Sequence, residues 1–164
     1  MKRYIQANMS NSPLAADALS DLAVILRTDG VKPALAFLNQ RVAHRFTAIY
    51  LLEAMTVRNV HLYDRQGQLL PEALGVVPLQ DSFCQHVLRE GQFSTSNSAS
   101  DHRLDGSPFQ GAVMAYHGVP IVDASGQLFG SLCHFDYESQ PLSDSEFAFL
   151  QRAAPVLSGF VKMA

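Results

Sequence analysis

Two apolar stretches that meet across a short polar turn constrain this chain more than any other feature. They lie within residues 112–136, AVMAYHGVPIVDASGQLFGSLCHFD, and the turn between them is Asp-Ala-Ser-Gly. Gly126 provides the permissive backbone that a tight hairpin turn needs. Apolar residues occur at both odd and even positions of each stretch, so both faces of each strand are apolar. The pattern therefore predicts a central hairpin that is covered on both faces. Gly118 and Gly130 interrupt the stretches, where glycine indicates a bulge or the close approach of another backbone.

Length, charge and composition indicate a single globular domain. The chain has 164 residues, of which 48% are hydrophobic, so it can bury a sizeable core. We expect a flexible leader over residues 1–12 and one domain over residues 13–164. The net charge of −3 and the absence of any Lys/Arg run beyond a pair argue against nucleic-acid binding. Since no apolar run has the length of a membrane span and the leader lacks a signal-peptide core, we expect a cytoplasmic protein without membrane contact.

The remaining periodicity predicts a helix-rich beginning, a β-rich middle and a final helix. Helical spacing of apolar residues predicts two N-terminal helices, and extended-type composition predicts a first hairpin after them. These elements cover residues 13–29, 32–42, 45–53 and 57–64, in that order.

The final helix begins with a capping box, in which Ser143 accepts from an amide and Glu146 reaches back. An apolar seam with alternating spacings of three and four follows, and Pro155 is expected to kink or loosen the helix. Such a seam is typical both of packing on the sheet and of dimerisation, and the sequence leaves both open. The seam consists of Phe147, Leu150, Ala154, Leu157 and Val161.

Residues 65–111 differ in character from the rest of the chain. They contain five of the ten glycines and three of the eight prolines, and only residues 82–89 have helical character. A loop-rich segment of this length between strands of a compact domain is usually functional, because regular elements hold it while its backbone shapes a cavity. We therefore expect a ligand to bind here.

Three segments of the chain carry a family resemblance: residues 118–136 in the late hairpin, residues 81–88 (DSFCQHVL) and residues 101–103 (DHR). Together they resemble the GAF domain family, in its late hairpin, its Ser-Phe-Cys segment and the Asp-x-Arg that follows that segment. The likeness covers residues 31–161. It implies an α+β fold with a central antiparallel sheet of about six strands, terminal helices on one face and a loop/helix lid on the other. It also implies a regulatory module that binds a small molecule and dimerises through its terminal helices.

Three subclasses of the family can be compared with the residues. Cys133-His134-x-x-Tyr137 matches a bilin-attachment pattern, but here it ends a predicted strand and does not open a helix, so we do not expect a covalent bilin. The Asn-Lys-x-Phe-x-Asp-Glu set of cyclic-nucleotide-binding members is absent. Free methionine sulfoxide reductases need a low-pKa thiolate and a second thiol nearby. Cys84 lies where such a member has a cysteine, but residues 97–111 contain none.

Metal binding is a further alternative, since Cys84-x-His86 and Cys133-His134 offer soft ligands and His102 and His117 add imidazoles. No paired Cys-x-x-Cys or His-x-x-x-His spacing is present, so we predict no metal site. The alternative expectation for the two cysteines is that each is a reduced, buried, structural thiol.

The predicted ligand contacts combine aromatic, thiol and hydrogen-bonding groups from residues 65–111 and the late hairpin. Arg103 can neutralise an anionic ligand, or it can pair with Asp101 or Asp105 and brace the loop. Tyr116 and His117 are adjacent in a strand and so face opposite sides of the sheet, which means that only one can line a given cavity. The full set is Cys84, His86, Asp101, Arg103, Tyr116, His117 and His134.

The sequence thus predicts a non-catalytic sensory GAF protein that binds an unidentified small molecule. It is expected to be a homodimer through its terminal helices and to act on a signalling partner protein. Two other classes stay open: a thiol-dependent enzyme of the free methionine sulfoxide reductase type, and a ligandless protein-interaction module. No cofactor is identified by any motif.

Overall fold

The computed structural model describes residues 13–68 and 70–161, with side chains from residue 17 onward. The predicted leader over residues 1–12 lies outside the described residues. Within the described part, four α-helices and six strands follow one another in the order α-α-β-β-β-α-β-β-β-α. They are α1 Pro13–Thr28, α2 Val31–Asn39, β1 Phe46–Glu53, β2 Thr56–Asp64, β3 Val76–Pro78, α3 Cys84–Glu90, β4 Phe93–Thr95, β5 Ala115–Val122, β6 Leu128–Asp136 and α4 Asp144–Ser158.

The strands form one antiparallel sheet in the order β3-β2-β1-β6-β5-β4. Both predicted hairpins, β1–β2 and β5–β6, are confirmed. Strands β1 and β6 pair at the centre of the sheet. Side chains of the late hairpin belong to both hydrophobic cores, one on each face of the sheet, as its apolar pattern predicts. The α+β architecture and the six-stranded sheet expected from the sequence are confirmed.

The terminal helices α1, α2 and α4 pack on one face of this sheet. Their shared core includes Leu22 of α1, Leu35 of α2, Leu132 of β6 and Leu157 of α4, all fully buried. The apolar seam of α4 is used within the chain, since four of its five members are buried in this core and Phe147 packs against it. A dimer therefore has to use other residues of the terminal helices.

The N-terminus of α4 differs in one detail from the predicted capping box. Ser143 Oγ accepts from the Glu146 amide at 3.2 Å, as expected. The Glu146 carboxylate instead accepts two hydrogen bonds of 3.0 Å from the Arg41 guanidinium, which also lies 3.9 Å above the Phe149 ring. A bidentate guanidinium is a stronger partner for a carboxylate than a single backbone amide.

Helix α2 ends at Asn39, three residues before its predicted end at residue 42. The Asn39 side chain turns inward and donates to the His44 carbonyl and to Thr47 Oγ1, each at 2.9 Å. The Arg65 guanidinium donates to the carbonyls of Asn39 and Val42 at 2.9 and 2.8 Å. Because side chains bind the backbone carbonyls at this end of α2, the chain leaves the helix here and does not continue to the end of its apolar pattern.

The other face of the sheet is covered by residues 70–113, which we call the lid. The lid contains β3, α3, β4 and several short 3₁₀ turns, and its apolar side chains form a second core with the sheet. In the parts of the chain described, no helix combines the length and apolar character needed to cross a bilayer.

Candidate functional site

A cavity of about 40 Å³ lies between the sheet and the lid. Strand alternation places one set of side chains from β1, β2, β5 and β6 on this face, and the lid closes over them. The walls are almost entirely apolar and contain no Asp, Glu, Lys, Arg or His. They are formed by Tyr50, Val57, Leu74, Val77, Ser82, Phe83, Cys84, Phe109, Val113, Tyr116 and Phe135.

Tyr116 and Cys84 form a small polar group at the wall of this cavity. The Cys84 thiol lies 3.2 Å from the Tyr116 hydroxyl and 3.3 Å from Ser131 Oγ. Phe83 packs edge-on against the Tyr116 ring at a centroid distance of 5.7 Å. These contacts hold the phenol in place, so that a hydroxyl and a thiol are presented among apolar side chains.

Both groups are neutral at physiological pH. Burial raises the pKa of the Tyr116 hydroxyl well above its usual value and also raises the pKa of the Cys84 thiol. Cys133, the other cysteine, is free and buried, and burial raises the pKa of its thiol as well. The cavity therefore offers neutral hydrogen-bonding groups, and a thiolate is disfavoured at either cysteine.

The other polar side chains of the cavity wall are engaged with the lid backbone. Tyr50 Oη donates to the Leu74 carbonyl at 2.7 Å, and Ser82 Oγ donates to the Leu79 carbonyl at 2.8 Å. The Tyr50 bond joins β1 to the lid, so displacement of the lid around Leu74 has to break it.

Arg103 and Asp101 lie outside the cavity and brace the lid. The Arg103 guanidinium pairs with the Asp101 carboxylate at 2.9 and 2.5 Å and donates to the Ser94 carbonyl at 2.8 Å. It also lies 4.4 Å from the centre of the Phe93 ring. The hydrogen bonds from Arg103 lower the pKa of Asp101 to about 2. The sequence left two roles open for Arg103, a contact with an anionic ligand and an ion pair that braces the loop. The structure has the ion pair.

His86 also lies outside the cavity wall. Its ring stacks on Phe93 at 4.6 Å, and its Nδ1 lies 2.9 Å from the Arg89 guanidinium. His117 and His134 are on the helical face of the sheet, where His117 Nδ1 lies 2.9 Å from His44 Nε2. The expectation that Tyr116 and His117 face opposite sides is confirmed.

Of the seven predicted contacts, the structure thus brings Cys84 and Tyr116 together at the cavity and places the other five elsewhere. Sequence reasoning missed Ser131, although a small polar residue in the middle of the most buried strand was a usable signal. It also missed the apolar walls, because residues such as Val57 and Val113 are indistinguishable from core residues in sequence. Among the residues that the structure describes, no three His, Cys, Asp or Glu side chains are grouped so as to hold a metal ion.

Comparison with curated proteins gives a sequence relative for part of the chain. No protein-family model matches the chain. A cyclic di-GMP phosphodiesterase of Pseudomonas aeruginosa is 32% identical over 104 residues, which are 58% of this chain and 18% of that protein. The chain thus spans less than a fifth of this relative.

Solved structures give a likeness over nearly the whole chain. The GAF domain of an Acinetobacter phosphoenolpyruvate-protein phosphotransferase has a TM-score of 0.70 at 19% identity, covering 91% of this chain and 93% of that one. A free methionine-R-sulfoxide reductase from Neisseria meningitidis, solved with its substrate, has a TM-score of 0.68 at 14% identity, covering 90% of both chains. The phycoerythrobilin-bound GAF domain of a cyanobacterial phytochrome has a TM-score of 0.67 at 16% identity, covering 88% and 92%. At these identities the likeness concerns the fold.

Proposed function

From the GAF fold of this chain and the cavity beneath its lid, we propose that it is a cytoplasmic sensory domain that binds a small, uncharged molecule. The observation that carries the proposal is the apolar cavity with Tyr116 and Cys84 at its wall. Apolar walls with a few polar groups are typical of small-molecule sites. The likeness to part of a cyclic di-GMP phosphodiesterase supports a regulatory role, since the matched segment is a small fraction of that enzyme.

The walls restrict the chemistry of the ligand. A charged group placed against apolar side chains loses its hydration and gains no partner there, which is costly. A hydroxyl has one donor and two acceptor sites, so Tyr116 keeps hydrogen-bonding capacity beyond its contact with Cys84. The ligand we propose therefore has one or two polar atoms on an apolar body. Arg103 is committed to Asp101 and Ser94, and we assign it no contact with an anion.

The size of the cavity adds a requirement on the lid. A cavity must have a volume of about 10–15 Å³ to hold one water molecule. This cavity of about 40 Å³ therefore has room for only a few waters. We propose that a ligand of ordinary metabolite size enters by displacing the lid, and that this displacement is the signal. The Tyr50–Leu74 hydrogen bond is one contact that has to open.

The thiol-enzyme alternative has less support from this geometry. Reduction of a sulfoxide needs a thiolate as nucleophile, whereas burial raises the pKa of both thiols. Free methionine sulfoxide is also a zwitterion, and the cavity wall has no charged side chain for either end. We therefore favour the sensory function and keep the reductase as an outcome of the test.

Native mass spectrometry of protein purified from its own host tests the proposal. We expect a retained, uncharged small molecule on the wild-type protein. Val113→Phe adds a ring at the cavity wall, so the retained mass should disappear. The matched control Val24→Phe adds the same ring on α1, where Val24 is 47% exposed, and should keep it.

A second arm of this experiment separates the alternatives. Turnover of free methionine sulfoxide with a thiol reductant, lost in Cys84→Ser, would replace the sensory proposal by the reductase. A ligandless module would be favoured by two results together. The wild-type protein would retain no small molecule, and amide hydrogen exchange in the lid would not change when host metabolite extract is added. If Val113→Phe does not fold, Tyr116→Phe, which removes only a hydroxyl, still has to weaken retention.

We also propose that the signal passes through a homodimer of the terminal helices. Since the α4 seam is buried in the chain, the contact has to use exposed apolar side chains. Val24 of α1 and Phe160, just after α4, are 47% and 42% exposed. We expect Val24→Asp with Phe160→Asp to raise the dimer dissociation constant at least ~tenfold in sedimentation equilibrium, about 1.4 kcal/mol.

The control for the dimer is Met55→Asp, which places the same charge on an exposed residue of the β1–β2 turn, away from the terminal helices. It should leave the sedimentation behaviour unchanged. A wild-type chain that sediments as a monomer at every concentration would contradict the dimer and leave the ligand site untouched.

A further inference from the structure

Three buried imidazoles meet on the helical face of the sheet, away from the cavity. His44 follows α2, His117 lies on β5 and His134 lies on β6, and none is more than 2% exposed. His44 Nε2 and His117 Nδ1 are 2.9 Å apart with the rings edge-on, and the His44 and His134 rings are 5.7 Å apart. The proposed sensory function uses none of them.

A chain of hydrogen bonds connects His134 to Arg65 through Thr47 and Asn39. Arg65 donates twice to Asn39 Oδ1, so the Asn39 amide nitrogen faces Thr47 and donates to its hydroxyl oxygen. The Thr47 hydroxyl oxygen also lies 2.7 Å from His134 Nδ1, and which of the two atoms donates depends on the tautomer of His134. In either tautomer a single proton lies between these two atoms.

The His44–His117 contact likewise holds a single proton. Two facing ring nitrogens at 2.9 Å need one donor and one acceptor, and a second proton would set two N–H groups against each other. His44 Nδ1 is buried and has no hydrogen-bond partner among the described residues. An added proton would therefore either meet a second N–H between the two rings or lie on His44 Nδ1 without an acceptor, so the buried cluster disfavours the charged form.

The same cluster joins α2 to the sheet. Asn39 donates to the His44 carbonyl, and Arg65 donates to the Asn39 and Val42 carbonyls, so the segment over residues 40–45 is held from two sides. The charged groups that act on the imidazoles are Arg65, from the turn after β2, and Asp136, at the end of β6. Asp136 opposes the effect of Arg65 on His44.

We propose that His44, His117 and His134 form a proton-operated lock on the α2–β1 junction, which holds residues 40–45 on the sheet when neutral and releases them when protonated. Release would change how the helical layer sits on the sheet. Buried histidines with few charge partners are a recognised basis for such switches. The lock is independent of the proposed ligand and cavity.

The direction of the pH effect follows from burial. Burial lowers the pKa of His44 to about 4 and that of His117 to about 3, and lowers that of His134 well below its usual value. A released imidazole regains a pKa of about 6.5. The closed junction is therefore fully stable above about pH 6.5 and loses stability as the pH falls from there toward 4 and 3.

Amide hydrogen exchange tests this lock on the intact wild-type chain. Each imidazole that titrates only in the open form raises the opening constant about tenfold between pH 7.5 and 5.5. After correction for intrinsic exchange rates, we expect at least that increase for amides 39–47. Amides within α1 and α4 should change less, because they do not depend on the junction.

One variant and a matched control make the result specific. His117→Gln removes one titrating group and should reduce the pH-dependent increase at least threefold, whereas His102→Gln, whose side chain is 92% exposed, should leave it unchanged. If His117→Gln does not fold, NMR titration of the wild-type imidazoles decides, since none of the three should titrate above pH 5. An opening constant that is flat from pH 7.5 to 5.5, or a cluster imidazole with a pKa near 6.5, would overturn the proposal.

Discussion

Replacing Gly130 by alanine is expected to destabilise the domain by about 3 kcal/mol or more. A Cβ atom at this position would lie 2.4 Å from the Tyr50 carbonyl oxygen and 3.0 Å from Leu51 Cδ2. The obstacle is backbone of β1, paired with β6 at the centre of the sheet, so it cannot be relieved by a rotamer change. Guanidinium denaturation of Gly130→Ala should show the loss as a lower midpoint with an unchanged m-value.

Gly159→Ala is the matched control for this prediction. Gly159 follows α4 with a helical φ of −70°, and a Cβ there meets nothing within 4 Å. Alanine should leave the free energy of unfolding within about 1 kcal/mol of wild type, or raise it slightly by restricting the unfolded chain. A Gly130→Ala protein as stable as Gly159→Ala would contradict the close approach of β1 and β6.

The late hairpin shows why so much of the fold was predictable. Its turn is specified locally by Asp123, whose carboxylate accepts from the Ser125 and Gln127 amides at 2.9 and 3.0 Å, and by Gly126 with a φ of +85°. Its position at the centre of the sheet follows from apolar residues on both parities. Periodicity and turn chemistry are short-range properties of the sequence, so they determined element types and the two hairpins.

The end of α2 and the cap of α4 differ from their predictions because of contacts between residues far apart in sequence. Helix α2 ends where Arg65, which is distant in sequence, donates hydrogen bonds to the Asn39 and Val42 carbonyls. Glu146 leaves its predicted capping role because Arg41 lies beside it in the folded chain. Neither partner is marked by spacing, and both are ordinary surface cations when the sequence is considered alone.

The candidate site was harder to predict than the fold for a related reason. Its walls come from four strands and the lid, and Val57, Val113 and Phe135 have the same pattern whether they line a cavity or fill a core. Asp101 and Arg103 suggested an anion site because they are charged and close in sequence, yet that proximity is what allows them to pair. His44 gave no signal, since its partners His117 and His134 reach it only through the sheet.

Gly118→Ala is expected to weaken the binding of a small molecule in the cavity at least ~tenfold while leaving the fold intact. A Cβ at this position would lie 2.7 Å from the Tyr116 hydroxyl and ring edge. The obstacle is the far end of a side chain, so the Tyr116 ring can turn away at a cost of about 1–2 kcal/mol. The turned Tyr116 ring has to leave the Cys84 thiol, which lies 3.2 Å from its hydroxyl in the wild-type protein. The ring then occupies the space between the sheet and the lid.

Xenon is a suitable probe for this prediction, because it is small, uncharged and binds dry apolar cavities. Under xenon pressure, the methyl resonances of Val113 and Val77 should shift saturably in the wild-type protein, and the apparent affinity should fall at least ~tenfold in Gly118→Ala, about 1.4 kcal/mol. Tyr116→Phe is the control, since it keeps the ring over Gly118 and removes only the hydroxyl, and it should retain xenon binding. Equal xenon binding in wild type and Gly118→Ala would mean that the Tyr116 ring does not control the cavity. Gly118 would then serve only the packing of the sheet, as Gly130 does, and would have no separate role at the site.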